Sequence, residues 1–268
     1  MSSLRRHYEC LVSICAHDAP AFLRAQIANV AAHVPNCAIV VHLNGVDERE
    51  LEPAGEHVWI NPRRHATGPY KRATWEAWAS NVIHGYAVAA FDRVLFLSSS
   101  SSCLFFRTVR WEDMPKNLVC VDNTSPHSPA TLSQPPPGDW FWADVFHDAR
   151  LVGWLRAADG ADARVYGGQL SGVMLPEAAM AELLDLTGVD GCHGQHDNYM
   201  YEEVYAQTVG LRYAERTGAP VQTTLIQIQW ARDGAYGLCR FDHDVDGPSM
   251  ARLRRLQARC PTSLSFSS

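Results

Sequence analysis

The sequence has 268 residues, of which 47% are hydrophobic and 19% charged, a composition typical of a folded globular protein and not of a disordered chain or a coiled coil. Its 29 acidic residues outnumber its 23 lysines and arginines, and the formal net charge of -6 argues against a dedicated binder of nucleic acid or anionic membranes. No apolar run approaches the roughly 18 residues that a membrane-spanning helix needs, so we expect a soluble protein.

The cysteines are scattered along the sequence and form no C-x-x-C pair. Several lie inside apolar runs that are typical of strands, where a free thiol behaves as a small hydrophobic side chain. The N-terminal segment also lacks the apolar region of a signal peptide. We therefore expect buried free thiols in a reducing, cytoplasmic compartment. The cysteines are Cys10, Cys15, Cys37, Cys103, Cys120, Cys192, Cys239 and Cys260.

The first half of the chain alternates strand and helix patterns. Pro20 fits the first turn of a helix for which Asp18 is a suitable N-cap. Continuous apolar strands separated by helices are typical of a parallel sheet with both faces covered, so the predicted fold class is α/β with a mostly parallel central sheet flanked by helices. The predicted strands occupy residues 10–16, 37–43, 57–60 and 93–97, and the predicted helices occupy residues 21–34 and 71–90.

The second half of the chain is less regular. A Pro- and Ser-rich segment at residues 125–138 is long enough to form a lid or a domain seam. Beyond it, the sequence predicts a helix that has Pro176 in its first turn. The predicted elements of this half are a strand at 118–121 and helices at 176–187 and 198–207.

Two common nucleotide-binding motifs and one hydrolase motif are absent from the sequence. It contains neither G-x-x-x-x-G-K-[ST] nor G-x-G-x-x-G, so a P-loop or a Rossmann dinucleotide site lacks its signature. The segment from Gly168 to Gly172 has the spacing G-x-x-S-G and not the G-x-S-x-G of a nucleophile elbow. These patterns argue against the corresponding ATPases, dehydrogenases and serine hydrolases.

Two segments contain several residues that could bind a metal. The segment at 192–197 has the sequence CHGQHD, but it lacks the clear second pair of ligands that a structural zinc site needs. Residues 242–246 (DHDVD) could bind a cation through oxygen atoms, or could form a solvated acidic turn before Gly247. We expect no metal in either segment.

A run of five serines, from Ser98 to Ser102, directly follows the predicted strand at 93–97. The carboxyl end of a buried parallel strand is where α/β sheets place their ligand-binding loops. Small hydroxyl side chains leave space for a ligand there and can donate hydrogen bonds to it. We therefore interpret the run as the lining of a ligand site.

The order of these features resembles the core-2/I-branching family of GT-A glycosyltransferases, which includes β-1,6-N-acetylglucosaminyltransferases and peptide O-xylosyltransferases. In the first half the resemblance rests on VSICAHDAPAFLRAQIANV, IVVHLNGVDE, EHVWINP, KRATWEAWASNVIHGYAVA and FDRVLFLSSSSS. Farther on, VYGGQLSGVMLPEAAMAELL resembles the Gly-rich segment and the helix of the family, and the eight residues YEEVYAQT resemble its P-D-E-x-x-x-x-T signature. The resemblance covers residues 8–215.

The resemblance implies an inverting transferase that takes its donor from a nucleotide sugar, with UDP as the expected nucleotide and no divalent metal. At the position of the metal-binding Asp-x-Asp, this chain has Ser98, Ser99 and Ser100 and no carboxylate. Without a metal, cationic side chains must neutralise the departing diphosphate. The candidates in the C-terminal part are Arg232 and Arg240, which flank Gly/Tyr turns.

The resemblance also implies one general base, which would take the proton of the acceptor hydroxyl. The position of the family's acid corresponds to Glu203, and Glu202 stands where the family has Asp. Adjacent helix residues point about 100° apart, so only one of the two glutamates can face the substrate squarely. Tyr201 replaces the proline of the family at the start of this motif.

The remaining predicted contacts with substrate also follow from the resemblance. His17, Asp18 and Asn44 follow the first two strands, where GT-A folds hold the base and the ribose of the donor. Trp140 and Trp142 could stack on a sugar face or could fill the core. The expected acceptor is a hydroxyl of a glycan or of a lipid-linked oligosaccharide, and no nucleic acid is expected as a partner.

We interpret the chain as one glycosyltransferase domain, in which residues 1–124 bind the nucleotide sugar, while residues 125–268 bind the acceptor and carry the catalytic residues. A non-catalytic sugar- or nucleotide-binding module of the same fold is an alternative. A third alternative is a zinc-dependent hydrolase that uses Cys192, His193 and His196.

Overall fold

The structure is a computed structural model that describes residues 5–17, 19–51, 55–67, 72–98, 103–105, 107–122, 130–134, 143–187, 201–223 and 238–240. The α-helices within these residues are α1 (Pro20–His33), α2 (Arg72–Val88), α3 (Ala149–Asp159), α4 (Glu177–Thr187) and α5 (Tyr201–Thr217). The strands are β1 (His7–Ala16), β2 (Cys37–Leu43), β3 (Val58–Ile60), β4 (Ala90–Ser98), β5 (Cys103–Phe105), β6 (Val119–Val121), β7 (Ala130–Thr131), β8 (Arg164–Val165), β9 (Met174–Pro176), β10 (Val221–Thr223) and β11 (Leu238–Arg240).

A seven-stranded sheet with the order β10-β6-β9-β4-β1-β2-β3 forms the centre of the molecule. β1 pairs in parallel with both β2 and β4, β2 pairs in parallel with β3, and β6 pairs in parallel with β10. Only β9 runs against its neighbours, since it pairs antiparallel with β4 and with β6. The carboxyl ends of the other six strands therefore share one edge of the sheet.

Helices cover both faces of this sheet. Side chains on alternate strand residues point to opposite faces, so each strand contributes to the packing on both sides. One face packs against α2, α4 and α5, where Trp75 of α2 and Tyr205 of α5 are completely buried. The other face packs against α1, with Ile14 of β1 and Leu23 of α1 in the same apolar cluster. The prediction of an α/β fold with a mostly parallel sheet flanked by helices is confirmed.

Most predicted elements of the first half agree with the structure, since long apolar or amphipathic runs determine them. β2 has the predicted bounds, while β1 and β4 extend beyond the predicted 10–16 and 93–97. The residue at the N-cap position of α1 is Ala19, at a φ of 52°. Asp18, the predicted N-cap, lies outside the described residues.

The second half differs from the prediction in several places. Pro176 ends β9 and α4 begins at Glu177, so that this proline is not in the first turn of the helix. α5 extends to Thr217, ten residues beyond the predicted end, while part of the segment predicted as a loop at 125–138 forms β7, which pairs with β8. The sequence interpretation also missed α3, whose N-cap Asp148 accepts hydrogen bonds from the main-chain N–H groups of Arg150 and Leu151.

Four cysteines within the described residues are free and buried, as predicted for them: Cys10, Cys15, Cys37 and Cys120. Burial raises the pKa of both the Cys37 and Cys120 thiols to about 12, which keeps these groups protonated and unreactive. Among the described residues, no helix has the length and apolar character required to cross a membrane.

Candidate functional site

The candidate site lies at the edge of the sheet where the parallel strands end. His17 follows β1, Asn44 follows β2, and Ser98 is the last residue of β4. The sheet order places these three strands side by side. In open α/β sheets, ligands bind at this carboxyl edge, so the three residues occupy the part of the fold in which a ligand site is expected.

His17 and Asn44 meet through a third residue, Thr67, which the sequence interpretation did not identify. Thr67 Oγ1 lies 2.8 Å from His17 Nδ1, and the Asn44 side-chain amide donates to Thr67 Oγ1 at 2.8 Å. The same amide donates to the Thr67 carbonyl at 3.1 Å and lies 3.3 Å from His17 Nδ1. Three polar side chains from three loops therefore form one hydrogen-bonded cluster at this edge.

His42 of β2 lies beside this cluster and is completely buried. Burial, together with the positive charges of His65, Arg64 and His17, lowers the pKa of His42 to about 4. The neutral ring accepts a hydrogen bond at Nε2 from the His65 main-chain N–H, at 2.9 Å. His42 therefore stays uncharged near neutral pH and fixes the loop that follows β3.

A buried amide pair fixes the start of the same loop. The Asn81 side chain of α2 donates to Ser13 Oγ of β1 at 3.1 Å and to the Ile14 carbonyl at 3.0 Å. Its oxygen accepts a hydrogen bond from the Asn61 side chain at 3.0 Å, and Asn61 Oδ1 in turn accepts one from the Arg63 main-chain N–H. Buried polar groups that are paired in this way hold their backbone in one arrangement, so residues 61–67 reach Asn44 on a fixed path.

Ser98 occupies the middle of the edge. Its main-chain N–H donates to Ser171 Oγ at 2.9 Å, and its carbonyl accepts a hydrogen bond from the Gln26 side chain at 3.4 Å. Ser171 is buried and belongs to the G-x-x-S-G segment, so its hydroxyl serves to hold the end of β4 in place. The rejection of a nucleophile elbow agrees with this position.

Glu202 brings a carboxylate to the edge from the first turn of α5. Burial and the neighbouring charge of Glu203 raise the pKa of Glu202 to about 8. Its Oε2 atom is buried and has no hydrogen-bond partner among the described residues. The carboxylate lies near Cys15 of β1. In the sheet, Cys15 is in register with His42 of β2 on one side and with Ser98 of β4 on the other. Glu202 therefore faces the same edge as the residues after β1, β2 and β4.

Glu203 is also buried, with 8% of its surface exposed. Its main-chain carbonyl accepts a hydrogen bond from the Gly168 N–H at 3.0 Å. The two predicted acids thus lie together at the start of one helix, with the raised pKa on Glu202.

Asp122 is a third acid at this edge, and the sequence interpretation missed it. It follows β6, and its Oδ2 accepts a hydrogen bond from the Gln169 main-chain N–H at 3.1 Å. Its position after a predicted apolar strand, as for His17 and Asn44, was the signal that could have identified it.

Several predicted site residues lie outside the described residues: Asp18, Ser99, Ser100, Trp140, Trp142, Cys192, His193, His196 and Arg232. For Arg240 the backbone is described, and it pairs with Cys103, the residue after the serine run, in the antiparallel β5–β11 ladder. Within the described ranges, no group of three or more His, Cys, Asp or Glu side chains is arranged to hold a metal ion. The 192–197 and 242–246 segments are not part of those ranges.

Comparisons with known proteins find little similarity to this chain. No protein-family model matches it, and no curated protein matches it. Among solved structures, it is similar to an active-site mutant of LgtC, a GT-A glycosyltransferase, with 12% identity and a TM-score of 0.41 over 93% of this chain and 95% of that chain.

Proposed function

We propose that the protein is an inverting glycosyltransferase that moves a sugar from a nucleotide sugar, with UDP as the expected nucleotide, to a hydroxyl of a glycan or lipid-linked oligosaccharide. The observation that carries the proposal is a buried carboxylate oxygen of Glu202, without a hydrogen-bond partner among the described residues, at the start of α5 and close enough to Cys15 of β1 for its charge to act on that thiol. A carboxyl group with a raised pKa at the carboxyl edge of an α/β sheet is a candidate for acid–base chemistry.

In the proposed reaction, an acceptor hydroxyl attacks the anomeric carbon of the donor. The new carbon–oxygen bond forms as the bond from that carbon to the phosphate oxygen breaks, and the nucleoside diphosphate leaves with the bonding electrons. The proton of the hydroxyl passes to the carboxylate of the general base. Attack on the side opposite to the leaving group inverts the anomeric configuration.

Of the two adjacent acids, Glu202 is the better base. Its pKa of about 8 makes the ionised form a strong proton acceptor, and its buried Oε2 has no hydrogen-bond partner among the residues described. Glu203 contributes the negative charge that helps to raise this pKa. The sequence resemblance assigns the base to Glu203, and that assignment stays a prediction that the experiment below tests.

The donor would lie along the sheet edge. His17, Asn44 and Thr67 form a hydrogen-bonding cluster after β1 and β2 that suits a nucleobase and a ribose. Ser98 and the predicted contacts Ser99 and Ser100 would face the diphosphate, whose charge Arg232 and Arg240 would neutralise without a divalent metal. The pairing of Arg240 with Cys103, next to the serine run, supports a role for this residue.

The test is nucleotide release from a panel of UDP-, GDP- and CMP-sugars with EDTA present. We expect activity that resists EDTA and that falls about 10²- to 10⁴-fold in Glu202→Gln, the usual effect of losing a general base. Glu203→Gln should retain more activity, with a pH profile shifted to lower pH, because a charge that raises the pKa of Glu202 has been removed.

Glu215→Gln is the matched control, because it makes the same change on an exposed residue at the other end of α5. Wild-type kcat/KM should rise with pH up to about 8, as the Glu202 carboxyl ionises. A larger loss in Glu203→Gln than in Glu202→Gln would return the base to Glu203. Nucleotide binding without turnover would indicate a binding module, and activity that EDTA abolishes would overturn the metal-free mechanism.

A further inference from the structure

A closed set of hydrogen bonds joins the end of β6 to the first two turns of α5. The Gln207 side chain accepts a hydrogen bond from the Asp122 main-chain N–H at 2.9 Å and donates one to the Gln169 carbonyl at 2.9 Å. The Gln169 N–H donates to the Asp122 carboxylate at 3.1 Å. Gly168 completes the set by donating its N–H to the Glu203 carbonyl. Asp122 is thereby tied to the helix that carries the two glutamates.

Gly168 leaves little distance between Asp122 and the start of α5. A Cβ atom on Gly168 would lie 2.6 Å from the Asp122 carbonyl oxygen and 2.8 Å from its Cβ. Real Cβ atoms do not approach other heavy atoms so closely, so only glycine permits this contact. The Gly168 backbone therefore packs directly against Asp122, while its N–H bonds to the carbonyl of Glu203, the residue after the proposed base Glu202.

Gln207 is suited to hold Asp122 in place. It is completely buried and lies four residues after Glu203, so both residues are on the same face of α5. Both ends of its amide are used, one on each of the two segments that it joins. Such a buried amide, bonded at both its oxygen and its nitrogen, restricts the orientation of the groups to which it is bonded.

The position of Asp122 along the edge matches the far end of an extended donor. In the sheet order, β6 lies two strands beyond β4 and four beyond β2, which is about 19 Å from β2 at the usual strand spacing. A donor with its base at Asn44 and its diphosphate at Ser98 would have its sugar near β6. The Oε2 atom of Glu202, which is buried and has no hydrogen-bond partner within the described ranges, lies at the start of α5, where it would face the anomeric carbon.

We infer that Asp122 binds a hydroxyl of the transferred sugar and that Gln207 is the positioning residue that holds Asp122 against α5. This inference rests on the proposed function. A carboxylate accepts about four hydrogen bonds, so Asp122 can bind a sugar hydroxyl in addition to its contacts within the protein. Asp122 is partly exposed, as a residue that contacts substrate must be.

The test compares the affinity for a nucleotide sugar with the affinity for the same nucleotide without its sugar, by calorimetric titration. The nucleotide sugar is the one that the wild-type protein binds most tightly from a UDP, GDP and CMP panel. Asp122→Asn should weaken binding of the nucleotide sugar by about 10- to 100-fold, the usual effect of losing a hydrogen bond to a charged group. Binding of the nucleotide alone should change by less than about twofold.

Gln207→Met should cause the same selective loss, by about three- to tenfold, because it frees Asp122 without removing the carboxylate. Thr208→Val is the matched control. Thr208 Oγ1 also joins α5 to this segment, but its two hydrogen bonds are to the N–H and the carbonyl of Tyr166 and not to Asp122. It should lower the melting temperature and leave both affinities unchanged.

Three results would overturn the inference: unchanged affinities in Asp122→Asn, equal losses for both ligands, or a selective loss in Thr208→Val as large as in Gln207→Met. Asp122→Asn is isosteric and partly exposed, so it decides the question even if Gln207→Met does not fold. Failure of the proposed function has a different signature. A wild-type protein that binds a nucleotide sugar and never transfers it would refute the reaction and retain Asp122 as a sugar contact, whereas no binding at all would refute both.

Discussion

Glu202, in the first turn of α5, lies close enough to Cys15, near the end of β1, for its negative charge to raise the pKa of that thiol. Cys15 is 1% exposed, and burial is the larger cause of its raised pKa. The thiol therefore stays protonated and is no candidate nucleophile. The pair shows instead that the folded chain brings an acid from α5 onto the carboxyl edge of the central sheet.

Replacing Glu202 should stabilise the protein in a manner that depends on pH. The pKa of this carboxyl is raised from 4.5 to about 8, so between these values the unfolded chain has lost a proton that the folded chain retains. The contribution of this carboxyl to the free energy of unfolding is therefore fully present below pH 4.5 and decreases as the pH rises towards 8. Glu202→Gln cannot ionise, so its stability relative to wild type should increase over the same interval.

Thermal unfolding at pH 5 and pH 8 measures this effect, with Glu215→Gln as the control for loss of a glutamate on α5. The melting temperature of Glu202→Gln at pH 8 should exceed that of wild type by at least about 3 °C. Equal differences at the two pH values would show that the Glu202 carboxyl is not held protonated in the folded protein.

His42 should have the opposite effect on stability. Its pKa is lowered from 6.5 to about 4, so between these values the unfolded chain binds a proton that the folded chain does not. The contribution of His42 to the free energy of unfolding is fully present above pH 6.5 and decreases as the pH falls towards 4, by up to about 3 kcal/mol. His42→Gln retains a hydrogen-bond acceptor for the His65 N–H and should remove this part of the acid destabilisation. His147→Gln, at an exposed position, should not.

The sequence was sufficient to predict the elements whose apolar pattern is continuous. Residues 37–43 (CAIVVHL) are all buried in β2, and a strand with both faces covered has this composition. β9 was missed because its three residues precede α4 directly and merge with the apolar pattern of the helix. α3 could have been found from Asp148, whose position before an amphipathic segment is a helix-start signal.

The candidate site could be predicted only where its residues follow strands directly. His17 and Asn44 were predicted from the resemblance to GT-A glycosyltransferases, which hold the base and the ribose of the donor after the first two strands. Thr67 was not, because its contact with Asn44 depends on how the chain returns after β3, and the buried Asn61–Asn81 pair determines that path. Sequence alone likewise could not distinguish Glu202 from Glu203, since the raised pKa of Glu202 depends on the surroundings that the fold gives this carboxyl.

Removing the hydroxyl of Thr67 should weaken nucleotide binding. Thr67→Val preserves the shape of the side chain but loses Oγ1, which joins His17 to Asn44. We expect the affinity for the nucleotide to fall by about tenfold, since two polar side chains lose the bond that orients them. Thr217→Val removes a hydroxyl at the distant end of α5, which donates to the Tyr213 carbonyl, and should leave the affinity unchanged. Equal affinity in Thr67→Val and wild type would remove this cluster from the nucleotide site.

Two glycine-to-alanine changes should alter stability in opposite directions. Gly168→Ala places a methyl group 2.6 Å from the Asp122 carbonyl oxygen, so the backbone must shift, and we expect a loss of about 1–3 kcal/mol. Gly153 lies on the exposed face of α3, and a Cβ there meets no atom within 4 Å. Gly153→Ala should therefore stabilise the protein by up to about 1 kcal/mol, because alanine favours the helix. Chemical denaturation of both variants checks the prediction, and a neutral Gly168→Ala would show that Asp122 does not lie against the start of α5.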